Sequence, residues 1–321
     1  HSVHGEFNAA LACYEQAQQV YEELSIPDRA AKCVQNQGVV HFFRGEYDAA
    51  LACYKGAQVL FEKLGIKDQT AYCVQNRGVV YSSRGEYDAA LACFKEAQAV
   101  FEELGMKHET TTSVQNQGLV YHLRGEYDGA LACFKEAQRR YEGLGIKDRA
   151  ADCVKNQGLA HSSREEYDAA LVCYKQAQAI YEELGIKSRA ANCVQNRGLV
   201  HSSRGEYDAA LACYEQAQRV YEELGMRDKV MASLWGKGDV YRLRGEGDAA
   251  LQCYTQAKEE RPISEVWYPE TQWGVRYGIA KLYQSTPQAL DYYDECLAII
   301  DALRGRQQTD WTKMGILYDK E

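Results

Sequence analysis

A block of forty residues recurs along most of the chain, and its copies open on nearly the same seven residues. These openings lie at 5–11, 45–51, 85–91, 125–131, 165–171 and 205–211. A unit this short cannot bury its own apolar face, so its copies must stack on one another. The period therefore predicts an open stack of repeats that offers a long surface rather than a closed catalytic pocket.

The second copy shows how one unit folds. Its apolar residues follow the spacing of an amphipathic helix, which we place at about 47–64. Gly65 is expected to end this helix in a left-handed conformation, and Asp68 is expected to cap the next helix, which runs to about residue 83. The short turns make consecutive helices antiparallel neighbours, so each unit is predicted to be a helical hairpin.

Two turn positions carry further expectations. Arginine recurs at 44, 84, 124, 164, 204 and 244. It is expected to stabilise helix ends and pair with the neighbouring repeat, with a basic stripe for a partner as the alternative. Glu165 stands where the other copies have glycine, and a left-handed backbone costs such a residue about 1 kcal/mol. This turn is therefore predicted to be the loosest.

Charge and composition narrow the class of partner. The chain has 321 residues, a formal charge of −9 and a sequence pI near 5.4. This balance argues against nucleic acid or an anionic membrane as the main partner. No stretch reaches the roughly eighteen apolar residues of a membrane span. The chain opens on His1 and Ser2 without a signal-peptide pattern, so a cytoplasmic location is predicted.

The twelve cysteines are expected to be free thiols in the helix core. From Cys13 to Cys213 they fall at every twentieth residue, except that Ser113 takes one slot, and Ser233 takes the slot after Cys213. A slot that accepts serine behaves as a small packing site. No CxxC pair occurs, so packing is favoured over a metal or redox role.

The residues of one unit match a known pattern, which reads Asn156-x-Gly158-x-x-His161 followed by Tyr167, Ala170, Tyr174 and Ala177. It resembles the tetratricopeptide repeat, in which the glycine lets two helices approach and the alanines receive side chains of the neighbouring helix. The resemblance covers nearly the whole chain. It implies an all-α, right-handed superhelical solenoid of antiparallel helical hairpins.

Three features depart from the usual repeat. The common leucine between the asparagine and the glycine is replaced by Gln37, Arg77, Gln117, Gln157 or Arg197. The closing proline is absent, and the unit has forty residues instead of about thirty-four. The longer unit is similar to the elongated repeats of kinesin light chains, of G-protein-regulating polarity adaptors and of bacterial signalling proteins.

The repeat frame sets the predicted boundaries. A regular array covers 1–260, and 261–321 forms a divergent C-terminal hairpin with a cap or a junction to another domain. The array is expected to hold an orphan helix at 7–24 and hairpins at 28–64, 68–104, 108–144, 148–184, 188–224 and 228–260, with the divergent hairpin near 266–303. His1 aligns with the middle of a helix, so the chain is expected to be a fragment.

The C-terminal end differs in kind, because all four tryptophans lie beyond residue 234. This aromatic end is expected to be a cap or to dock a C-terminal effector domain. The stretch 289–318 is similar to the junction between bacterial tetratricopeptide arrays and a caspase-like CHAT protease domain, and a NACHT-type module is the alternative. The chain itself contains no protease, phosphate-loop or cofactor fingerprint.

The strongest candidate site is a row of amides with one pair in each hairpin. In the tetratricopeptide family the asparagine faces the concave groove, which implies that its amide grips an extended peptide. The predicted peptide-binding residues are Gln35, Asn36, Gln75, Asn76, Gln115, Asn116, Lys155, Asn156, Gln195 and Asn196. The alternative is that each asparagine bonds to the neighbouring helix and only sets the stacking. Nearby basic residues are too scattered to clamp a chain end, so an internal extended segment or a protein surface is the expected ligand.

No metal, cofactor or catalytic role is predicted. Histidine at 1, 41, 161 and 201 alternates with tyrosine at 81, 121 and 241, so the slot favours a flat amphipathic ring over a metal ligand. The glutamate pairs at 22–23, 102–103, 182–183 and 222–223 are expected to be solvated helix ends.

Together these features predict a protein- or peptide-binding scaffold that is not an enzyme and is the recognition arm of a larger intracellular signalling or defence protein. Specificity is expected from positions that vary between units, such as Tyr72, Thr112, Asp152 and Asn192. A structural or self-assembling spacer is one alternative. A regulatory fragment of a caspase-like protease is the other.

Overall fold

The computed structural model describes residues 3–259, 269–283 and 287–304, and these residues form helices joined by short turns. Two kinds of helix alternate up to Glu259. The B helices are α1 (Val3–Glu23), α3 (Tyr47–Lys63), α5 (Tyr87–Glu103), α7 (Tyr127–Gly143), α9 (Tyr167–Glu183), α11 (Tyr207–Glu223) and α13 (Gly247–Glu259). The A helices are α2 (Pro27–Phe43), α4 (Lys67–Ser83), α6 (Lys107–Leu123), α8 (Lys147–Ser163), α10 (Lys187–Ser203) and α12 (Arg227–Leu243). They are followed by α14 (Pro269–Leu282) and α15 (Pro287–Arg304).

The chain divides into two compact units. Among the described residues, unit 1 comprises those up to Arg140, and unit 2 comprises those from Tyr141 to Leu303. Within each unit, consecutive A and B helices pack against each other. The predicted all-α stack of antiparallel helical hairpins is confirmed. The boundary predicted at 260/261 falls among residues outside the described part of the chain and stays a prediction.

The turns after the B helices end each helix in the same way. Gly65 has a φ of +70°, and the N–H of Ile66 donates to the carbonyl oxygen of Phe61 at 2.9 Å. This is the left-handed cap that the sequence predicts. The capping role predicted for Asp68 is wrong, because α4 begins one residue earlier and no side chain caps it. Asp68 lies inside the first turn, where its charge still favours the helix dipole.

Two residues other than glycine adopt the left-handed conformation, Ser25 in the turn after the B helix α1 and Glu165 in the turn after the A helix α8. Glu165 has a φ of 61°, as its place in the repeat predicts, and Ser25 has a φ of 56°. Ser25 stands where the second copy has Gly65. A residue with a side chain is strained at such an angle, so both turns carry a local cost. Whether the turn at Glu165 is the loosest stays a prediction.

Within a hairpin, the two helices pack closely at glycines and alanines. A Cβ atom added to Gly158 would lie 2.9 Å from Cε1 of Tyr174, and one added to Gly78 would lie 2.8 Å from Cε1 of Phe94. An aromatic ring of the B helix therefore rests directly on the backbone of the A helix. Ala177 is fully buried at the next crossing. The packing roles implied by the family pattern are confirmed for these residues.

Most cysteines are packed in this core. Burial raises the pKa of Cys73, Cys153 and Cys193 to about 12, so these thiols stay neutral. The exception is Cys13, which is exposed on α1. The core role predicted for Cys13 is therefore wrong, because no helix precedes α1 among the described residues to cover that side.

None of the helices that the structure describes combines the length and the apolar character needed to cross a bilayer.

Candidate binding face of the A helices

Neighbouring A helices are joined by polar contacts along one edge. In unit 1, Lys32 Nζ donates to Oε1 of Gln69 at 2.9 Å, which links α2 to α4. The Tyr72 hydroxyl donates to Oε1 of Glu109 at 2.9 Å, which links α4 to α6. Lys32 and Tyr72 occupy equivalent positions forty residues apart. The A helices of this unit therefore lie side by side at this edge.

The predicted asparagines lie one helical turn beyond this edge. Residues four and seven positions further along a helix share its side, so Asn76 and Val79 follow Tyr72 on α4. In each unit we call this surface the A-helix face; it is formed by the residues equivalent to those at 32, 36 and 39 on the A helices of that unit. Two of its apolar residues are well exposed in unit 2, Leu159 at 38% and Leu199 at 56%.

The asparagine amides of this face have no internal partner. Asn36, Asn76, Asn116 and Asn196 are half-buried, and Asn156 is buried. Within the described part of the chain, none of these five side chains makes a hydrogen bond to another protein group. Half-buried polar groups normally find partners in protein or water. The row therefore has hydrogen-bonding capacity that the stacking of the helices does not use.

The residues that precede the asparagines behave differently. Gln35 is only 3% exposed and its Oε1 accepts from Lys32 Nζ at 2.8 Å. Gln75 Oε1 accepts from the Ser113 hydroxyl at 3.1 Å. In unit 2 the Tyr221 hydroxyl of α11 donates to Oε1 of Gln195 at 3.2 Å, and Lys155 Nζ donates to Oδ1 of Asp152 at 3.4 Å within α8. Gln115 is half-buried on α6. The contacts of Gln75 and Gln195 join neighbouring helices, whereas those of Gln35 and Lys155 lie within one helix.

Unit 2 carries a charged cluster at the same edge. Asp152 of α8 is 8% exposed, and its Oδ1 accepts from the Tyr181 hydroxyl at 2.7 Å. Its Oδ2 accepts from Arg189 Nη1 of α10 at 3.1 Å. Lys155 and Arg149 approach the same carboxylate at 3.4 and 3.9 Å. These basic residues are paired with Asp152, and whether the A helices lack a clamp for a chain end stays a prediction.

Tyr181 shows the effect of this cluster on a neighbouring group. Burial raises the pKa of its hydroxyl, and the negative charge of Asp152 raises it further. The hydroxyl therefore stays protonated and donates to the carboxylate. The sequence held one signal of the cluster, because Asp152 is an acid at a position that holds Lys32, Tyr72 or Thr112 in other units.

The unusual polar residue beside each asparagine has a structural explanation. Gln37 Nε2 donates to Oε1 of Gln18 at 3.0 Å, and Arg77 Nη1 donates to Oε1 of Gln58 at 2.7 Å. The same contact recurs between Gln117 and Gln98, Arg197 and Gln178, and Lys237 and Gln218. Each contact joins an A helix to the preceding B helix. A polar bond thus takes the place of the leucine that the family commonly has there.

The recurring arginine and histidine positions also form contacts at the turns. Arg204 Nη1 lies 2.6 Å from Oδ1 of Asp168 in the preceding repeat, so the predicted pairing between repeats is confirmed. His161 Nδ1 lies 2.6 Å from Oε2 of Glu166. This contact with the turn was not expected from the sequence. Among the described residues, no group of three or more His, Cys, Asp or Glu side chains is placed to hold a metal ion.

This architecture defines the class of helical-repeat solenoids, and comparison with known families specifies it. The tetratricopeptide repeat model matches residues 29–103, 108–183 and 190–259, which is more than half of the chain. The chain belongs to the tetratricopeptide repeat family. No curated protein matches it at a significant level.

Solved structures with similar folds include a phosphatase, a gene regulator and an ATPase. Aspartyl phosphate phosphatase F from Bacillus subtilis is 14% identical with a TM-score of 0.70, over 94% of this chain and 77% of that chain. The Rap conjugation gene regulator of plasmid pLS20, solved with the Phr* peptide, is 16% identical with a TM-score of 0.62, over 92% and 78%. A signal transduction ATPase with a tetratricopeptide repeat sensor from Pyrococcus horikoshii is 10% identical with a TM-score of 0.65, over 90% and 45%. At these identities the similarity shows the fold alone.

Proposed function

We propose that the chain is a protein- or peptide-binding scaffold that holds an extended segment along its A-helix face. The observation that supports this proposal is the row of asparagine amides without internal partners. A side-chain amide donates and accepts hydrogen bonds at once, as a peptide group does. Each asparagine is therefore suited to pair with one peptide group of a bound segment.

Apolar and charged residues beside the row would add specificity. Leu159 and Leu199 are exposed one turn beyond Asn156 and Asn196, where they would cover apolar side chains of the segment. The cluster at the edge of unit 2 places three basic groups beside two carboxylates, those of Asp152 and Asp148. The residues that precede the asparagines keep a packing role in this proposal.

Similar structures favour the same kind of ligand and a regulatory setting. The pLS20 regulator was solved with a peptide, and the Pyrococcus protein combines an ATPase with a repeat sensor. The finer proposal is that this chain is the non-catalytic recognition arm of a larger cytoplasmic signalling or defence protein. This proposal includes the docking of an effector domain at the C-terminal end.

The tryptophans of the C-terminal end are described only in part. The side chains of Trp267, Trp273 and Trp311 lie outside the described residues, and Trp235 packs close to Gly274 of α14.

The test begins with peptides selected on the full chain from a random twelve-residue phage library and measured by fluorescence anisotropy. The double variant Asn156→Ala with Asn196→Ala should bind them about tenfold more weakly, because each lost amide bond contributes ~0.5–1.5 kcal/mol. The control is Gln176→Ala with Gln252→Ala, which removes two exposed amides from B helices. It should bind like the parent, and circular dichroism should show equal helix content in all three proteins.

Two results would count against the proposal. Equal affinity of the asparagine variant and the parent would exclude the A-helix face as the binding surface. Failure to select any peptide, together with a parent chain of normal helix content, would favour the structural spacer.

A further inference from the structure

A cavity of about 350 Å³ lies in unit 2 between α9, α10 and α11. Its floor includes Ala190, Ala191 and Val194 of α10. At about 100° per residue, these side chains leave α10 roughly opposite to Asn196 and Leu199. A molecule in this cavity would therefore leave the A-helix face free. The cavity could bind its ligand whether or not the A-helix face binds a peptide.

The rim of the cavity is acidic. Glu182 of α9 and Glu223 of α11 stand on its two sides, and Lys187 stands at the start of α10. The glutamates lie at helix C-termini, where the backbone carbonyls add partial negative charge. A cationic group is thus favoured between the two helix ends. Glu182 and Glu223 each belong to a glutamate pair that the sequence predicts to be a solvated helix end, and here one residue of each pair borders the cavity.

In the neighbouring groove of unit 2, the residues equivalent to Lys187 and Glu223 form an ion pair. Lys147 Nζ and Glu183 Oε1 lie 2.8 Å apart there, and both side chains are exposed. Lys187 and Glu223 are their equivalents forty residues later, and within the described residues they form no ion pair. An exposed pair of this kind contributes little net stability. Leaving Lys187 and Glu223 unpaired therefore costs the protein little free energy.

One aliphatic side chain also differs between the two grooves. Val220 lines the cavity, and the equivalent residue in the neighbouring groove is Ile180. Alanine, alanine and valine occupy the floor positions in both grooves. The valine leaves room for one more methylene group, in a volume within the range of ligand sites.

We propose that this cavity binds a basic segment of a partner protein, which inserts one large aliphatic side chain and places a neighbouring lysine or arginine against Glu182 and Glu223. The aliphatic side chain covers the alanine and valine floor. The acidic rim pairs with the cation, and the net charge of −9 favours encounter with basic partners.

The probe is acetyl-Leu-Arg-amide, titrated into the full chain while the methyl signals of Ala190, Ala191, Val194 and Val220 are followed by nuclear magnetic resonance. These signals should shift with a single binding curve. The control probe is acetyl-Leu-Glu-amide, which should bind at least about fivefold more weakly because the rim repels its carboxylate.

Variants test the two halves of the site separately. Val220→Ile fills the floor and should weaken the arginine probe about threefold, whereas the matched variant Ile180→Val should leave binding at this cavity unchanged. Glu182→Gln with Glu223→Gln should remove the preference for arginine over glutamate. These substitutions are conservative or exposed, and an unchanged melting temperature verifies that each protein is folded.

Three outcomes would overturn the inference. The first is an absence of methyl shifts at the floor under saturating arginine probe. The second is equal affinity for the two probes, which would exclude a basic ligand. The third is a set of shifts confined to Leu159 and Leu199, which would place the probe on the A-helix face instead.

Discussion

Units 1 and 2 present the same edge of their A helices with different chemistry. In unit 1 the contact between neighbouring A helices is a hydroxyl donated by Tyr72 to Glu109 at 2.9 Å. In unit 2 the equivalent contact joins Arg189 to Asp152 at 3.1 Å, and Tyr181 adds a second donor to the same carboxylate. One repeated backbone therefore carries different side-chain chemistry at a single variable position.

Burial increases the energetic difference between the contact in unit 2 and the contact in unit 1. The Asp152 carboxylate is enclosed by its partners, so each charge depends on the others. Tyr72 is a neutral donor; burial raises its pKa to about 12, with the negative charge of Glu109 as a further cause. Loss of a partner should therefore cost more in unit 2 than in unit 1.

The largest expected effect is that of Asp152→Ala. This change leaves the Tyr181 hydroxyl buried without an acceptor and Arg189 with only the longer contact to Asp148 at 3.4 Å, which should destabilise the protein by about 3 kcal/mol. Urea unfolding measures the loss. Tyr72→Phe, the matched change in unit 1, should cost only about 1 kcal/mol. Equal losses would mean that the two edges are held by the same kind of interaction.

Gly158→Ala and Gly78→Ala test whether the A and B helices of a hairpin approach each other equally closely in the two units. Each added methyl group would lie 2.8–2.9 Å from a ring carbon of Tyr174 or Phe94, so each variant should lose about 2 kcal/mol. The two losses should agree, since the local geometry is the same. Thermal unfolding of both proteins is the measurement, and a clear loss in only one would show that the helices approach less closely in the other unit.

The smallest effect is expected at the turn that lacks its glycine. Glu165→Gly should stabilise the chain by about 1 kcal/mol, because glycine adopts a φ of 61° without strain. Gly125→Ala, at the equivalent turn of unit 1, should lose a similar amount. Unfolding curves give both values, and hydrogen exchange should slow around residue 165 in the glycine variant. A destabilised Glu165→Gly protein would show that the glutamate side chain has a role of its own.

Much of the fold was predictable because every unit repeats the same constraints. Gly65 ends α3 and Gly158 receives Tyr174 for reasons that lie within one hairpin. Asp68 was misjudged because a shift of one residue at a helix start separates a capping side chain from one inside the first turn. Cys13 was misjudged because its slot is a core slot only where another helix covers it.

The candidate site also has one part that the sequence predicts and another that only the structure shows. The asparagine row follows from spacing, and its place on one helix side needs only the helix period. The packing role of Gln35 did not follow, because burial depends on the neighbouring helix. The cluster around Asp152 gathers residues from α8, α9 and α10, which are too far apart in sequence for any local pattern to connect.

By itself, then, the order of residues determined the helical hairpins, their turns and the stacking of equivalent helices, because these depend on contacts repeated at every fortieth position. Only the tertiary structure decided which polar groups are used in stacking, which amides are left without a partner and where a cavity opens. Those outcomes depend on distances between side chains of different hairpins, and small differences such as Val220 for Ile180 alter them without changing the repeat.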